Sequence, residues 1–271
     1  MRALSLLFLA LSATPAFAAA SSWVELVPGA RARLVTADTR EADGTVLAGL
    51  EIDMPAGYKT YWRTPGETGI PTVLDFSQST GLAGESVLWP YPDIDKSQGY
   101  LDYVYTGNVV LPVALRLSGD TATIDVAASL GICSDICAPA SARFTLPVSL
   151  SAPDAGQSIR LRQAAAEAPL AWNKGAEPVG DVALEAGGKA LTVRVTAADI
   201  DANSLIAATD DPGDVFGTPQ KSPEPGIFLL PLLGSSGIKG LEGKPVRITF
   251  LTAAGPFEVS RRILPAVSPG N

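Results

Sequence analysis

Val109–Leu117 (VVLPVALRL) and Thr121–Ala127 (TATIDVA) are two short runs in which apolar and polar residues tend to alternate, set apart by Ser118-Gly119-Asp120. A period of two puts successive side chains on opposite faces of a strand, so both read as β-strands with one face buried. Val46–Met54 (VLAGLEIDM) and Ala142–Leu150 (ARFTLPVSL) repeat the pattern. Runs this short, bounded by Gly, Pro, Asp and Ser every 8–12 residues or so, predict an all-β sandwich. Pro112 and Pro147 interrupt two of the runs. Proline has no N–H to give a ladder, so those strands are expected at an edge or at a bulge.

Moving outward, the one convincing helical stretch is Ala155–Ala168, with Asp154 placed to cap it. It separates two β-rich regions of different composition. All six tyrosines lie between Tyr58 and Tyr105, and Trp23, Trp62, Trp89 and both cysteines precede Leu150. From Val179 to Val267 there is no Trp, Tyr or Cys, yet strands are expected at Ala190–Thr196, Gly226–Leu233, Lys244–Leu251 and Pro256–Leu264. The expected organisation is a leader at 1–20, a β-sandwich at 21–150, a helical linker at 151–178 and a second β-sandwich-like domain at 179–271, ending in a loose tail from Val267.

The leader reads as a secretory signal peptide. Arg2 supplies the positive start, Ala3–Leu11 the apolar run, and Ala16-Phe17-Ala18 a small-x-small cleavage site, with Ala18-Ala19-Ala20 as a near alternative. The apolar run falls far short of the ~20 residues of a spanning helix. The expectation is export to the periplasm without membrane insertion. The chain has 20 Lys and Arg against 28 Asp and Glu; processing removes Arg2 and no acid, so the mature charge becomes −9 rather than −8. An acidic chain has no electrostatic attraction to nucleic acid or anionic lipid. It also has no histidine. That excludes His-based triads, His-metal sites and Cys-His nucleophile pairs.

Chemistry therefore concentrates on Ser129–Ala140 (SLGICSDICAPA), which holds Cys133 and Cys137. Two cysteines in an exported chain suggest a disulfide. A loop this small stabilises by only about 2 kcal/mol on the chain-entropy model. Close spacing also lets one sulfur resolve a mixed disulfide formed at the other. Asp135 between them disfavours a thiolate. Spacing alone leaves a local structural bridge and an exchange pair both open. A second cluster, Gly99–Pro112 (GYLDYVYTGNVVLP), sets Asp102 among Tyr100, Tyr103 and Tyr105. Such a loop can shield a sulfur pair and assist proton transfer, or equally be tyrosine core. A third, Gly57–Pro71 (GYKTYWRTPGETGIP) with Leu88–Pro92 (LWPYP), reads as scaffold, with Arg63 and Glu67 placed to pair across the Pro65-Gly66 turn.

Together GYKTYWRTPGETGIP, WPYP, YLDYVYTGNVVLPV and LGICSDICAPA, spread over Trp23–Leu150, resemble the N-terminal periplasmic domain of the DsbD/ScsB family of thiol:disulfide interchange proteins. The resemblance implies an immunoglobulin-like sandwich whose cysteine pair takes electrons from a membrane-embedded thiol donor and passes them to exported thiol/disulfide proteins, with no cofactor and no metal. It implies that Cys137 forms the mixed disulfide, that Cys133 resolves it, and that Asp102, Tyr103 and Tyr105 belong to a cap loop over the pair. The family's membrane-spanning and thioredoxin-like domains are expected on other polypeptides. Two further readings stay open: a non-enzymatic binding module with a structural disulfide, and a Cu(I)-handling protein. The latter is poorly supplied, since Met54 is the one methionine of the mature chain.

Overall fold

The computed structural model describes residues 19–151, 153–233 and 240–266. Nearly all of the expected leader, and the expected loose tail from Val267, lie outside the described residues. Strands β1 (Val24–Val27), β2 (Ala30–Arg40), β3 (Val46–Asp53), β4 (Lys59–Gly66), β5 (Val73–Asp75), β6 (Leu82–Val87), β7 (Asp93–Asp95), β8 (Asp102–Thr106), β9 (Asn108–Leu117), β10 (Thr121–Cys133) and β11 (Cys137–Ser149) precede helix α1 (Ala155–Ala166). After it come β12 (Leu170–Ala171), β13 (Val179–Leu184), β14 (Ala190–Val195), β15 (Ile200–Ala208), β16 (Gln220–Lys221), β17 (Ile227–Pro231), β18 (Pro245–Thr252) and β19 (Gly255–Leu264).

The first eleven strands form two sheets, ordered β1-β2-β3-β9-β6 and β11-β10-β4-β8-β7, with β5 added beside β10. Their facing sides make one apolar core. Leu34, Leu50, Ile52, Leu111 and Leu115 from one sheet meet Trp62, Tyr103, Ile124, Val126, Leu130 and Phe144 from the other. Burying each such side chain contributes roughly 1.5–3 kcal/mol before entropy is counted. The fold is the expected all-β, immunoglobulin-like one.

One sequence expectation needs correcting. Pro147 does lie on an edge strand, β11, but Pro112 lies on β9, between β3 and β6. The Pro112 carbonyl accepts from Leu88 N, just past the end of β6 at Val87. Its nitrogen faces the same way, where the ladder has already run out, so the missing N–H costs little.

Helix α1 begins where expected, with Asp154 Oδ1 accepting from Gln157 N at 2.9 Å. It lies along the outer face of the first sheet, where Leu161 packs with Val35, Ala37 and Leu47. The remaining strands form a third sheet, ordered β15-β18-β19-β13-β14-β17-β16, with β12 beside β19. It has its own apolar cluster around Phe216, Leu230, Ile248, Phe250 and Phe257. The third sheet also touches the first core directly. Ile206 is part of that core, Tyr91 donates its hydroxyl to Ser204 O at 2.6 Å, and Arg63 pairs with Glu258.

Candidate functional site

Strands β10 and β11 are paired residue for residue from Thr121↔Ser149 to Cys133↔Cys137. The cysteines therefore face each other at the end of the ladder, with only Ser134, Asp135 and Ile136 between them. They are joined as a disulfide, with Cα atoms 4.0 Å apart. Side chains alternate along β10. Ile124, Val126, Ala128, Leu130 and Ile132 enter the sandwich core, and Cys133, one residue on, packs with Tyr61 and Val104 on the other face. The cysteine pair thus sits on the side of the sheet away from the main core.

The two sulfurs are not equivalent. Cys133 is 0% exposed, whereas Cys137 is an exposed residue. Above them lies Tyr61, whose hydroxyl donates to Cys133 Sγ at 3.0 Å and stands 3.2 Å from Cys137 Sγ. A disulfide has no S–H, so the phenol is the donor. Burial pushes the Tyr61 phenol up from its ordinary pKa, with Lys59 opposing, and this keeps the proton on the oxygen. The ring fits because its neighbours are glycines. A Cβ on Gly69 would lie 2.3 Å from Tyr61 Cδ1, and one on Gly131 would lie 3.2 Å from Cδ2. The Glu67–Pro71 segment, passing through Gly69, closes over the ring.

A partly buried ion group supports this arrangement. Lys59 is paired with Cys133 in the β4–β10 register, and its Nζ stands 5.8 Å from the Tyr61 ring centroid. It donates to Asp95 at 2.7 Å and to Asp102 at 3.4 Å. Burial pulls the Lys59 ammonium down, but the Asp95 hydrogen bond and nearby charges carry it above its ordinary value. The same hydrogen bond, joined by Ser97, holds Asp95 down at about 2. Asp102 also accepts from Thr68 N at 3.0 Å and Thr68 Oγ1 at 2.7 Å, which ties the Glu67–Pro71 segment to β8.

Asp102, Tyr103 and Tyr105 lie on strand β8, and all three are buried. Tyr103 and Tyr105 face the core, donating to Phe216 O at 3.4 Å and Pro90 O at 2.7 Å. Burial pushes both phenols above their ordinary pKa. The side chain that meets the sulfurs is Tyr61, from the segment read as scaffold. Its signal in the sequence is slight: KTYW puts Tyr61 and Trp62 on opposite faces of one strand, so one aromatic must leave the core. The expected Arg63–Glu67 pair is replaced. Arg63 reaches Glu258 and Thr249, while Glu67 accepts from Leu101 N at 2.7 Å. Arg63 is too deep, stacked 4.3 Å over Trp62, to turn toward an exposed glutamate.

Among the described residues no group of three His, Cys, Asp or Glu side chains is placed to hold a metal ion, and no helix is long and apolar enough to cross a membrane.

Comparison with known proteins adds the following. Residues 24–149 match the family model for the N-terminal region of thiol:disulfide interchange protein DsbD. The crystal structure of the N-terminal periplasmic domain of ScsB from Proteus mirabilis aligns with a TM-score of 0.68 at 21% identity, covering 91% of this chain and 98% of that one. The shared fold therefore extends beyond residue 149. The adhesin domain of Epf from Streptococcus pyogenes covers 89% of the chain, but at a TM-score of 0.26 and 8% identity it has no bearing on the fold. No curated protein sequence matches the chain. The matched span contains both cysteines and Tyr61, so the part of the chain that carries the pair is similar to the N-terminal region of thiol:disulfide interchange protein DsbD.

Proposed function

We propose that the protein is a periplasmic electron relay in which Cys133 and Cys137 cycle between dithiol and disulfide. The observation that carries this reading is the asymmetry of the pair: an exposed Cys137 beside a buried Cys133, both under one phenol donor. In the reduced form the Cys137 thiolate attacks a disulfide of an exported partner, forming a mixed disulfide and releasing one partner thiolate. The Cys133 thiolate then attacks Cys137 Sγ and releases the second. Two electrons and two protons pass to the partner, and a dithiol of a membrane-embedded donor restores the pair. Tyr61 stabilises whichever sulfur carries charge. Asp102 acts at one remove, by holding Lys59 and Thr68 beside that phenol.

The reading takes the chain as two β domains, 21–150 and 179–271, with the pair on the first. It also takes the chain as exported, with the leader cut after Ala18. Ala19 O accepts from Thr36 N and Ala20 bridges Val35, so a later cut would remove residues already paired to β2. The intact mass of protein recovered from the periplasm tests this and is expected to begin at Ala19.

Two measurements test the relay. In titration against glutathione the pair is expected to exchange; a pair still oxidised below about −300 mV marks a structural bridge. In cells, Cys133→Ala is expected to accumulate mixed disulfides with partner proteins. Accumulation only with Cys137→Ala would reverse the two roles.

A further inference from the structure

Ile136 is the most exposed large apolar side chain among the described residues, at 80%. It sits at the tip of the three-residue loop, immediately before Cys137, and its carbonyl accepts from Ser134 N at 3.2 Å. The neighbouring loop residue Asp135 is exposed and acidic. At 80% exposure the Ile136 side chain buries little apolar area and so adds little to the stability of the fold.

We infer that Ile136 is the apolar contact that selects protein disulfides at Cys137, fitting partners that carry an apolar residue beside their reactive cysteine. The inference rests on the relay reading above. It follows from the geometry of the covalent intermediate. A mixed disulfide brings the two Cα atoms to within roughly 4.4–6.8 Å. Residue 136 is one Cα step, about 3.8 Å, from Cys137. Any partner bonded to Cys137 therefore has the Ile136 side chain beside its own reactive cysteine. An apolar neighbour on the partner removes both side chains from water, whereas a polar one leaves Ile136 wet. Asp135 adds a second condition, because an acidic residue on the partner at this point would face a like charge.

The test uses the full mature chain, reduced and freed of reductant, with two symmetric disulfides of short, capped peptides. The two differ in one residue beside the cysteine, Leu in one and Ser in the other, and oxidised glutathione is the third oxidant. Partial burial of two aliphatic side chains predicts that the Leu peptide is reduced about tenfold faster than the Ser peptide. In Ile136→Ser that ratio is expected to fall to near one, with the rate toward oxidised glutathione unchanged, and in Ile136→Leu it is expected to return. The site is exposed, so neither substitution endangers the fold. A ratio near one in the unaltered protein, or a ratio that survives Ile136→Ser, overturns the inference. Failure to reduce all three oxidants overturns the relay reading itself.

Discussion

Tyr61 donates its hydroxyl to Cys133 Sγ at 3.0 Å, across 72 residues of sequence. Opening the disulfide places negative charge on a sulfur within reach of that phenol. A hydrogen bond to a charged group is worth about 1.5–3 kcal/mol, and one pKa unit is about 1.36 kcal/mol. Tyr61→Phe should therefore raise the lower thiol pKa of the reduced pair by roughly one unit, read from thiolate absorbance against pH. The higher pKa makes each thiolate more nucleophilic, so exchange near neutral pH should slow by only roughly threefold. An unchanged thiol pKa would remove Tyr61 from the chemistry.

Gly69 is required by contact with the same ring. A methyl at this position would sit 2.3 Å from Tyr61 Cδ1. Gly69→Ala should cost about 1–3 kcal/mol in denaturant unfolding, as overpacking does. Gly119→Ala is the control, since a Cβ there meets nothing within 4 Å.

The Lys59–Asp95 pair predicts a specific acid sensitivity. The folded-state pKa of Asp95 is about 2, below its ordinary 3.8. A carboxylate depressed in this way contributes stability above its unfolded pKa and loses that contribution as pH falls through the folded one. Unfolding free energy should therefore drop between about pH 4 and about pH 2 more steeply in the unaltered protein than in Asp95→Asn. Parallel curves would show that the pair adds nothing.

Arg63 and Glu258 join the first sandwich to the third sheet, with both side chains largely buried. Burial holds the Arg63 guanidinium below its ordinary pKa, and Glu258 opposes that shift. Removing only the carboxylate, as in Glu258→Leu, strands a buried cation and should cost about 3–5 kcal/mol. The double change Arg63→Met with Glu258→Leu should recover most of the loss, because two apolar groups need no partner. The comparison is read from equilibrium unfolding of the three variants and the parent.

How legible this was in the sequence depended on the range of the interactions. β3, β14, β18 and β19 are legible within a residue or two because each is a short apolar-rich run bounded by turn residues. The Asp154 cap was readable because its bond to Gln157 spans three residues. β15 is not: Asp201 and Asn203 are polar, Leu205–Ala208 is buried throughout, and a register shift separates them. β8 falls in the stretch expected as a loop, although Tyr103 and Tyr105 fill the core while Val104 backs Cys133. At the site, the cysteine pair was visible because four positions separate its members. The Tyr61 contact depends on which distant strands pair, and the Arg63–Glu258 pair, 195 residues apart, on how sheets stack; no local pattern records either.

The β10–β11 ladder has one more consequence. Thirteen consecutive pairings bring Cys133 and Cys137 face to face before any bond forms between the sulfurs. The bond therefore constrains almost nothing that the backbone has not already constrained. In the relay proposed above the sulfurs are joined and parted while the ladder holds the sandwich beneath them, like a latch on a door hung from other hinges.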